Sequence, residues 1–216
     1  MTADQRRTVR RLVDAHGRTY AEEAGIRLKD TPQPLYRLLV LAHLLSARIS
    51  ASIAVATARA LGEAGLRDPR RMADADWQQR VDALGRGGYR RYDERTATQL
   101  GDAAELLTER WGGDLRRLRD EAEGDVGEVR RLLQEFPGVG PTGADIFLRE
   151  VQQVWPGVSP FLDRKALQGA ERLGLPGDPE RLLALADDTD PAVLAAALVR
   201  AAVDKTVADD TLDHAA

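Results

Sequence analysis

The chain of 216 residues has a net charge of −4, with 43% hydrophobic and 31% charged residues, a composition typical of folded globular proteins and not of disordered or membrane-embedded ones. It contains no cysteine, which excludes disulfides, thiolate metal sites, iron–sulfur clusters and cysteine nucleophiles. Its three histidines, His16, His43 and His214, are widely spaced, which argues against a histidine zinc site.

The charge is distributed unevenly along the chain. Residues 1–100 hold 18 Lys and Arg against 12 Asp and Glu, a balance of +6, whereas residues 176–216 hold 3 against 9, a balance of −6. An acidic chain argues weakly against nonspecific binding of nucleic acid, but a local basic patch sets the field at a groove. The basic residues are nearly all Arg, which suits bidentate phosphate contacts; a general Arg and Ala bias of the genome explains the same composition.

Apolar residues recur at helical spacing along nearly the whole chain, so the sequence predicts an all-α protein. The segment 35–47 is apolar nearly all round, which is typical of a helix buried in a core. Residues 31–34, TPQP, are predicted to break the chain before it, and residues 85–88 to form a turn. The predicted helical segments are 4–24, 35–47, 50–64, a short one opened by Asp68-Pro69, one capped by Asp74 or Asp76 and running to Leu84, 92–111, 114–123, 126–136, 142–154, 163–173, 179–186 and 191–205. The last residues, 208–216, are expected to fray.

The most informative local pattern is Pro137-Gly138-Val139-Gly140, between two amphipathic segments. It predicts a tight turn whose glycines let another backbone come close, and Pro141 suits the first turn of the following helix. The N–H groups of such a turn, together with the helix N-terminus, can bind a phosphate of a nucleic-acid backbone without reading its sequence. The alternative is an ordinary glycine turn between helices, because a glycine pattern alone is weak evidence.

The turn belongs to a longer pattern. PGVGPTGA at 137–144 is followed about twenty residues later by LDRKALQGAERLGL at 162–175, and LLSAR at 44–48 and GYR at 88–90 precede it. Together these segments resemble the helix-hairpin-helix (HhH-GPD) DNA glycosylase superfamily, and most closely its endonuclease III branch without the iron–sulfur cluster. The resemblance covers roughly residues 31–175.

The resemblance implies a two-lobed, all-α glycosylase fold with a cleft between the lobes. Residues 31–154 would form a helical barrel lobe that contains the helix-hairpin-helix, at about 128–154. Residues 1–30 and 155–216 would form the second lobe, which carries the catalytic Asp.

The resemblance also implies site residues. The position of the family's catalytic carboxylate is Asp163, which would stabilise an oxocarbenium-like state or orient the attacking water. Asp163 also suits the N-cap of the next helix, and both roles are compatible because a helix N-terminus favours an ionised carboxylate. For Asp145, in the second helix of the hairpin, the two alternatives are the cleft and the solvent-exposed surface, and the surface is favoured. The candidate DNA-binding residues are Arg48, Gly138, Val139, Gly140, Thr142 and Gly143.

Three departures from the family pattern bear on the activity. Thr142 stands where bifunctional members have a lysine, and a hydroxyl cannot form the Schiff base that β-elimination requires. The four-cysteine cluster of endonuclease III is missing. Arg48 replaces the glutamine that fills the gap in the duplex; it either fills that gap or is an ordinary arginine at a helix end.

These features predict a monofunctional DNA glycosylase of base excision repair, which flips a damaged or mispaired base and hydrolyses its glycosidic bond. The alternatives are a bifunctional glycosylase and AP lyase of the endonuclease III type, and a non-catalytic helix-hairpin-helix protein that binds DNA structures. Which base is excised stays open. The aromatic residues, which could also stack on a flipped base, are expected in the core: Trp77, Trp111, Trp155, Tyr36, Tyr89 and Tyr92.

The expected partner is double-stranded DNA with a lesion or mismatch, bound by a monomer. We expect neither a metal at the catalytic site nor an organic cofactor, although a monovalent cation at the hairpin is conceivable. The N-terminus has no apolar secretory segment and no predicted helix has the ~20 apolar residues of a bilayer span. The sequence therefore predicts a cytoplasmic protein without membrane partners, associated with the nucleoid if it is bacterial.

Overall fold

The computed structural model describes residues 2–213, and over that range the chain is entirely helical apart from turns, with no strand. The predicted all-α class is therefore confirmed. No helix in this range is long and apolar enough to cross a bilayer. The α-helices are α1 (Ala3–His16), α2 (Tyr20–Glu23), α3 (Pro32–Ser46), α4 (Ala51–Glu63), α5 (Pro69–Asp74), α6 (Trp77–Arg86), α7 (Asp93–Trp111), α8 (Leu115–Glu121), α9 (Val126–Leu133), α10 (Pro141–Val151), α11 (Arg164–Arg172), α12 (Pro179–Leu183), α13 (Pro191–Val203) and α14 (Lys205–Asp213), with a 3₁₀ turn at Pro156–Val158.

The chain divides into two compact units. One comprises Met1–Tyr20 with Leu148–Ala216, and the other Ala21–Phe147. The predicted lobes divide the chain between residues 30 and 31 and between residues 154 and 155. The units of the structure divide it between residues 20 and 21 and between residues 147 and 148. The second of these bounds falls within α10, so the last turn of that helix belongs to the first unit.

The core of the unit Ala21–Phe147 is built around α3. Leu35, Leu38, Leu41 and Leu44 of this helix are completely buried, as expected of a segment that is apolar nearly all round. Of the predicted break at 31–34 only Thr31 lies outside a helix, because Pro32 is the first residue of α3. Proline is tolerated there since the first N–H groups of a helix have no intrahelical partner to lose.

The other unit depends on close contact between α11 and α13. Gly169 of α11 lies so near the backbone of α13 that a Cβ on it would overlap the carbonyl oxygen of Leu198. The facing stretch of α13 is rich in alanine and almost fully buried. Small side chains therefore let the two helices pack closely. This close packing takes the place of packing by aromatic side chains, of which the chain has few.

Two predicted segments at the ends of the chain are wrong. The predicted first helix, 4–24, is interrupted: α1 ends at His16 with Gly17 as its C-cap, and residues 20–23 form the separate short helix α2. Residues 208–213 are helical, as part of α14, rather than frayed. Residues 214–216, which include His214, lie outside the described part of the chain.

The aromatic residues lie mostly in the core, as predicted. The exceptions are Trp77, which is 41% exposed and donates its indole N–H to the Thr98 hydroxyl at 3.2 Å, and Tyr92, which is partly exposed. Trp77 is the first residue of α6, directly after its N-cap Asp76, and a residue at a helix end packs on one side only. The buried members are Tyr36, Tyr89, Trp111 and Trp155.

Tyr36→Phe is expected to leave the melting temperature unchanged or to raise it by a few degrees. The Tyr36 hydroxyl is fully buried without a hydrogen-bond partner among the described residues, and burial raises the pKa of this phenol well above its ordinary value. Removing an unpaired buried hydroxyl removes a desolvation penalty of about 1–3 kcal/mol, and each kcal/mol is worth roughly 2–4 °C at this chain length.

Tyr89→Phe is the matched control for this measurement. The Tyr89 ring is equally buried, but its hydroxyl is 3.1 Å from the Thr96 hydroxyl and hydrogen-bonded to it. This substitution should therefore lower the melting temperature. Both melting temperatures are measured by circular dichroism on heating. An equal fall in the two variants would show that the Tyr36 hydroxyl has a hydrogen-bond partner.

Candidate functional site

The helices α9 and α10 are joined by a short turn, and these three elements are called the hairpin below. The turn closes through a hydrogen bond from the Val139 N–H to the Phe136 carbonyl oxygen at 2.9 Å. Gly138 has a φ of +83°, which strongly favours glycine. The first helical bond of α10 runs from the Ala144 N–H to the Gly140 carbonyl oxygen at 3.0 Å, so Gly140 is the residue that precedes the helix. This geometry leaves the first N–H groups of α10 without intrahelical partners.

The hairpin residues predicted from sequence divide into an exposed and a buried group. Gly138, Gly140 and Thr142 are exposed and therefore accessible to a ligand. Val139 is only 4% exposed and Gly143 is buried. A Cβ on Gly143 would lie 3.2 Å from the Val139 side chain and 3.6 Å from that of Ser46. Val139 and Gly143 therefore pack inside the turn instead of facing a ligand.

Beside Gly138 lies a groove of about 320 Å³ that carries basic side chains. Arg48, which follows α3, and Arg95, in the first part of α7, line it. Both are exposed, and neither forms an ion pair within residues 2–213. Two guanidinium groups without an ion-pair partner, beside the exposed Gly138 of the turn, give the groove the charge that a phosphate requires. Arg95 was not identified from sequence, because nothing in the motif places it near the turn.

The floor of this groove contains a neutral histidine. His43 of α3 is 5% exposed, and a Cβ on Gly138 would lie 2.5 Å from its Cε1 atom. Burial lowers the pKa of His43 to about 4, against the opposing effect of a hydrogen bond with the Gln99 side chain. The imidazole is therefore uncharged near neutral pH, and its contribution to the hairpin is to pack beneath the glycine.

The hairpin helices are joined by an ion pair. The Arg130 guanidinium of α9 donates to Asp145 of α10, at 2.5 Å for Nε–Oδ1 and 3.2 Å for Nη2–Oδ2. Asp145 was expected on the surface, and it is partly buried in this pair. A bidentate pair between the two helices fixes their relative position, so Asp145 is assigned to the scaffold of the hairpin.

Asp163 is the N-cap of α11, as its position in the sequence predicts. Its Oδ1 accepts a hydrogen bond from the Ala166 N–H at 2.8 Å. Its Oδ2 accepts one from the Arg149 guanidinium Nη1 at 2.6 Å, and the Asp163 side chain is only 8% exposed. The buried arginine, 3% exposed, was not anticipated from the sequence, because the two residues are fourteen positions apart and on different helices.

The segment that leads to Asp163 is held by Gln152. The Gln152 side chain accepts from the Phe161 N–H at 2.8 Å and donates to the Phe161 carbonyl oxygen at 3.0 Å. A side-chain amide that bonds both backbone groups of one residue fixes the path of the chain there. The backbone before the carboxylate and the carboxylate itself are thus both held by α10 residues and their immediate continuation.

The structure also locates the amines that bear on the lyase alternative. Lys165 is exposed on the first turn of α11, and its Nζ lies 2.9 Å from the Gln168 Oε1 atom. Thr142 is exposed in the first turn of α10. Within residues 2–213, no group of three or more His, Asp or Glu residues is arranged to hold a metal ion.

No family model matches the chain, and the curated proteins contain no match. Among solved structures the chain is similar to a trapped covalent intermediate of endonuclease III with DNA, an estranged-adenine complex. The identity is 17% and the TM-score 0.49, over 93% of this chain and 86% of the endonuclease III chain.

Proposed function

We propose that this chain is a monofunctional DNA glycosylase that removes a damaged or mispaired base from duplex DNA. The observation that carries the proposal is the hairpin between α9 and α10, whose exposed turn adjoins, at Gly138, a groove lined by two arginines without an ion-pair partner. Such a surface suits a phosphodiester backbone, to which it offers N–H donors and positive charge without any base-specific group.

The proposed reaction is hydrolysis of the glycosidic bond. The oxygen of a water molecule bonds to C1′ of the deoxyribose, the C1′–N bond breaks with its electron pair going to the base, and one proton of the water ends on the base. An anion close to C1′ stabilises the positive charge that develops on the sugar. Asp163 is the proposed anion, because it stands at the spacing after the hairpin that the glycosylase pattern requires.

A second candidate function is binding to DNA structures without catalysis. One observation favours it: both carboxylate oxygens of Asp163 already accept hydrogen bonds, and the side chain is 8% exposed. A carboxylate has about four lone-pair positions, however, and the two contacts leave positions free on each oxygen. Glycosylase activity therefore remains the proposal, and binding alone is the alternative against which it is tested.

The deciding experiment is a product assay on duplexes that each contain one lesion or mismatch. The panel covers alkylated purines, uracil and thymine opposite guanine, and oxidised pyrimidines. A monofunctional glycosylase leaves an intact strand that breaks only after hot alkali, a lyase breaks the strand without alkali, and a binder shifts the duplex in a gel without changing it. Shift without base release from every duplex would overturn the proposal in favour of the binder.

The wild-type protein should not be trapped on lesion DNA by borohydride. Trapping requires an amine that forms an imine with C1′ of the sugar, and Thr142 offers only a hydroxyl. Thr142→Lys should introduce some trapping if its amine reaches the sugar, although a misplacement of about 1 Å can cost roughly a hundredfold in rate. Efficient trapping of the unmodified protein would establish a lyase; loss of that trapping in Lys165→Gln would then identify Lys165 as the amine.

A further inference from the structure

Arg149 is a buried arginine to which neither the hairpin motif nor the comparisons assign a role. It lies on α10 and is 3% exposed, and its Nη1 donates to the Asp163 Oδ2 atom at 2.6 Å. The contact brings the last turn of the hairpin's second helix to the first residue before α11. It is the contact that fixes the second oxygen of the proposed catalytic carboxylate, since the first is fixed by the Ala166 N–H.

The arginine is poorly satisfied as a purely structural element. Its Nε is buried and has no hydrogen-bond partner among the described residues. A buried N–H without a partner destabilises the folded state, and a buried ion pair is often no more stabilising than apolar side chains of the same size. Polar groups that are costly to the fold are typical of functional sites, where the placement of a charge matters more than stability.

The neighbouring contacts explain what the arginine adds. Gln152 holds the backbone at Phe161, and the Ala166 N–H holds one oxygen of Asp163. Arg149 adds a charged donor on the other oxygen, so the carboxylate is held at both oxygens against rotation about its last bond. The remaining lone pairs of both oxygens then point in fixed directions, which is the geometry required to act on a sugar or a water.

We infer that Arg149 is a positioning residue, which holds the Asp163 carboxylate in the orientation from which it acts on the deoxyribose. The inference rests on the proposed glycosylase function. It predicts that loss of Arg149 slows base release in the bound complex while leaving DNA affinity largely unchanged.

The test is single-turnover base release with enzyme in saturating excess, on a duplex that the wild-type protein cleaves to an abasic site. Arg149→Met should lower the rate constant by about tenfold or more, as expected when a reacting group loses its orientation. Arg149→Lys should recover part of this loss, because an ammonium can still donate to Asp163. At saturation the rate constant does not depend on the fraction of active protein, so a merely structural role would not lower it.

Arg172→Met is the matched control. Arg172 is the last residue of α11, and its Nη1 donates to the Ala201 carbonyl oxygen of α13 at 2.9 Å instead of to the Asp163 carboxylate. This variant loses the same side chain and should release base at the wild-type rate constant. A wild-type rate constant in Arg149→Met would overturn the inference, and so would equal losses in Arg149→Met and Arg172→Met.

Thermal unfolding gives a second measurement that does not require activity. Arg149→Met leaves a buried carboxylate without its cation and should lower the melting temperature by roughly 10 °C. In an Asp163→Asn background the same substitution should cost much less, because no charge is left unpaired. Equal losses in both backgrounds would show that the pair does not form and would overturn the inference. Absence of base release by the wild-type protein, with the coupling intact, would instead overturn the proposed function.

Discussion

Asp163→Asn is expected to abolish base excision, with a single-turnover rate constant lower by about 10²–10³-fold or more, the effect of removing a preorganised electrostatic stabiliser. The amide keeps the size of the side chain, and its oxygen can still accept the Ala166 N–H, so α11 retains its cap. What disappears is the negative charge that the proposed function places next to C1′, together with the charge of the ion pair with Arg149. Affinity for lesion DNA should therefore stay close to that of the wild type in a gel-shift titration.

The control for this variant is Asp178→Asn. Asp178 caps α12 through the Arg181 N–H at 2.9 Å, so the substitution removes the same charge from the same kind of cap. It should leave excision unchanged. A rate constant near the wild-type value for Asp163→Asn would show that another group supports the chemistry and would leave Asp163 with capping alone.

The parts of the fold that could be predicted are those governed by neighbouring residues. Asp68, Asp76 and Asp163 were identified as possible caps because an N-cap oxygen bonds an N–H only two or three residues away. The end of α7 at Gly112 could be predicted likewise, because this residue has a φ of +62° and glycine adopts that conformation readily.

The parts that could not be predicted depend on contacts between distant segments. The close approach of Gly169 to the backbone at Leu198, which lets α11 pack on α13, has no pattern in the sequence around either residue. The same limit applies to the site: the glycine motif locates the turn, but the partner of Asp163 lies on another helix and has no pattern of its own. Residues such as Arg149 and Arg95 become visible only when the helices are placed beside one another.

Gly140→Asp is expected to weaken DNA binding by about tenfold to a hundredfold without loss of stability. Gly140 has no neighbour within 4 Å of the position of a Cβ, and its φ is not positive, so the fold accommodates the side chain. The residue occupies the N-cap position of α10, where an Asp stabilises a helix by accepting its free N–H groups. The melting temperature should therefore be unchanged or raised.

The loss of binding follows from the same geometry. The new carboxylate occupies the N–H donors that a phosphate needs and places a negative charge beside the site. Losing charge-assisted hydrogen bonds worth about 1.5–3 kcal/mol corresponds to about tenfold to a hundredfold in affinity. Because the proposed docking uses the DNA backbone only, damaged and undamaged duplexes should lose affinity alike.

Gly177→Asp provides the control for charge, since Gly177 is also exposed with open space around it but lies in the other compact unit, away from the hairpin in sequence. Both variants carry one additional negative charge, so any general repulsion from DNA is the same in the two. Gel-shift titrations at one fixed salt concentration then measure the local effect, because salt alone changes such affinities strongly. Equal DNA affinities for the two variants would exclude the turn after α9 as the place where the DNA backbone docks. A loss of affinity in Gly140→Asp alone, with its melting temperature maintained, would separate the docking role of the hairpin from its role in the fold.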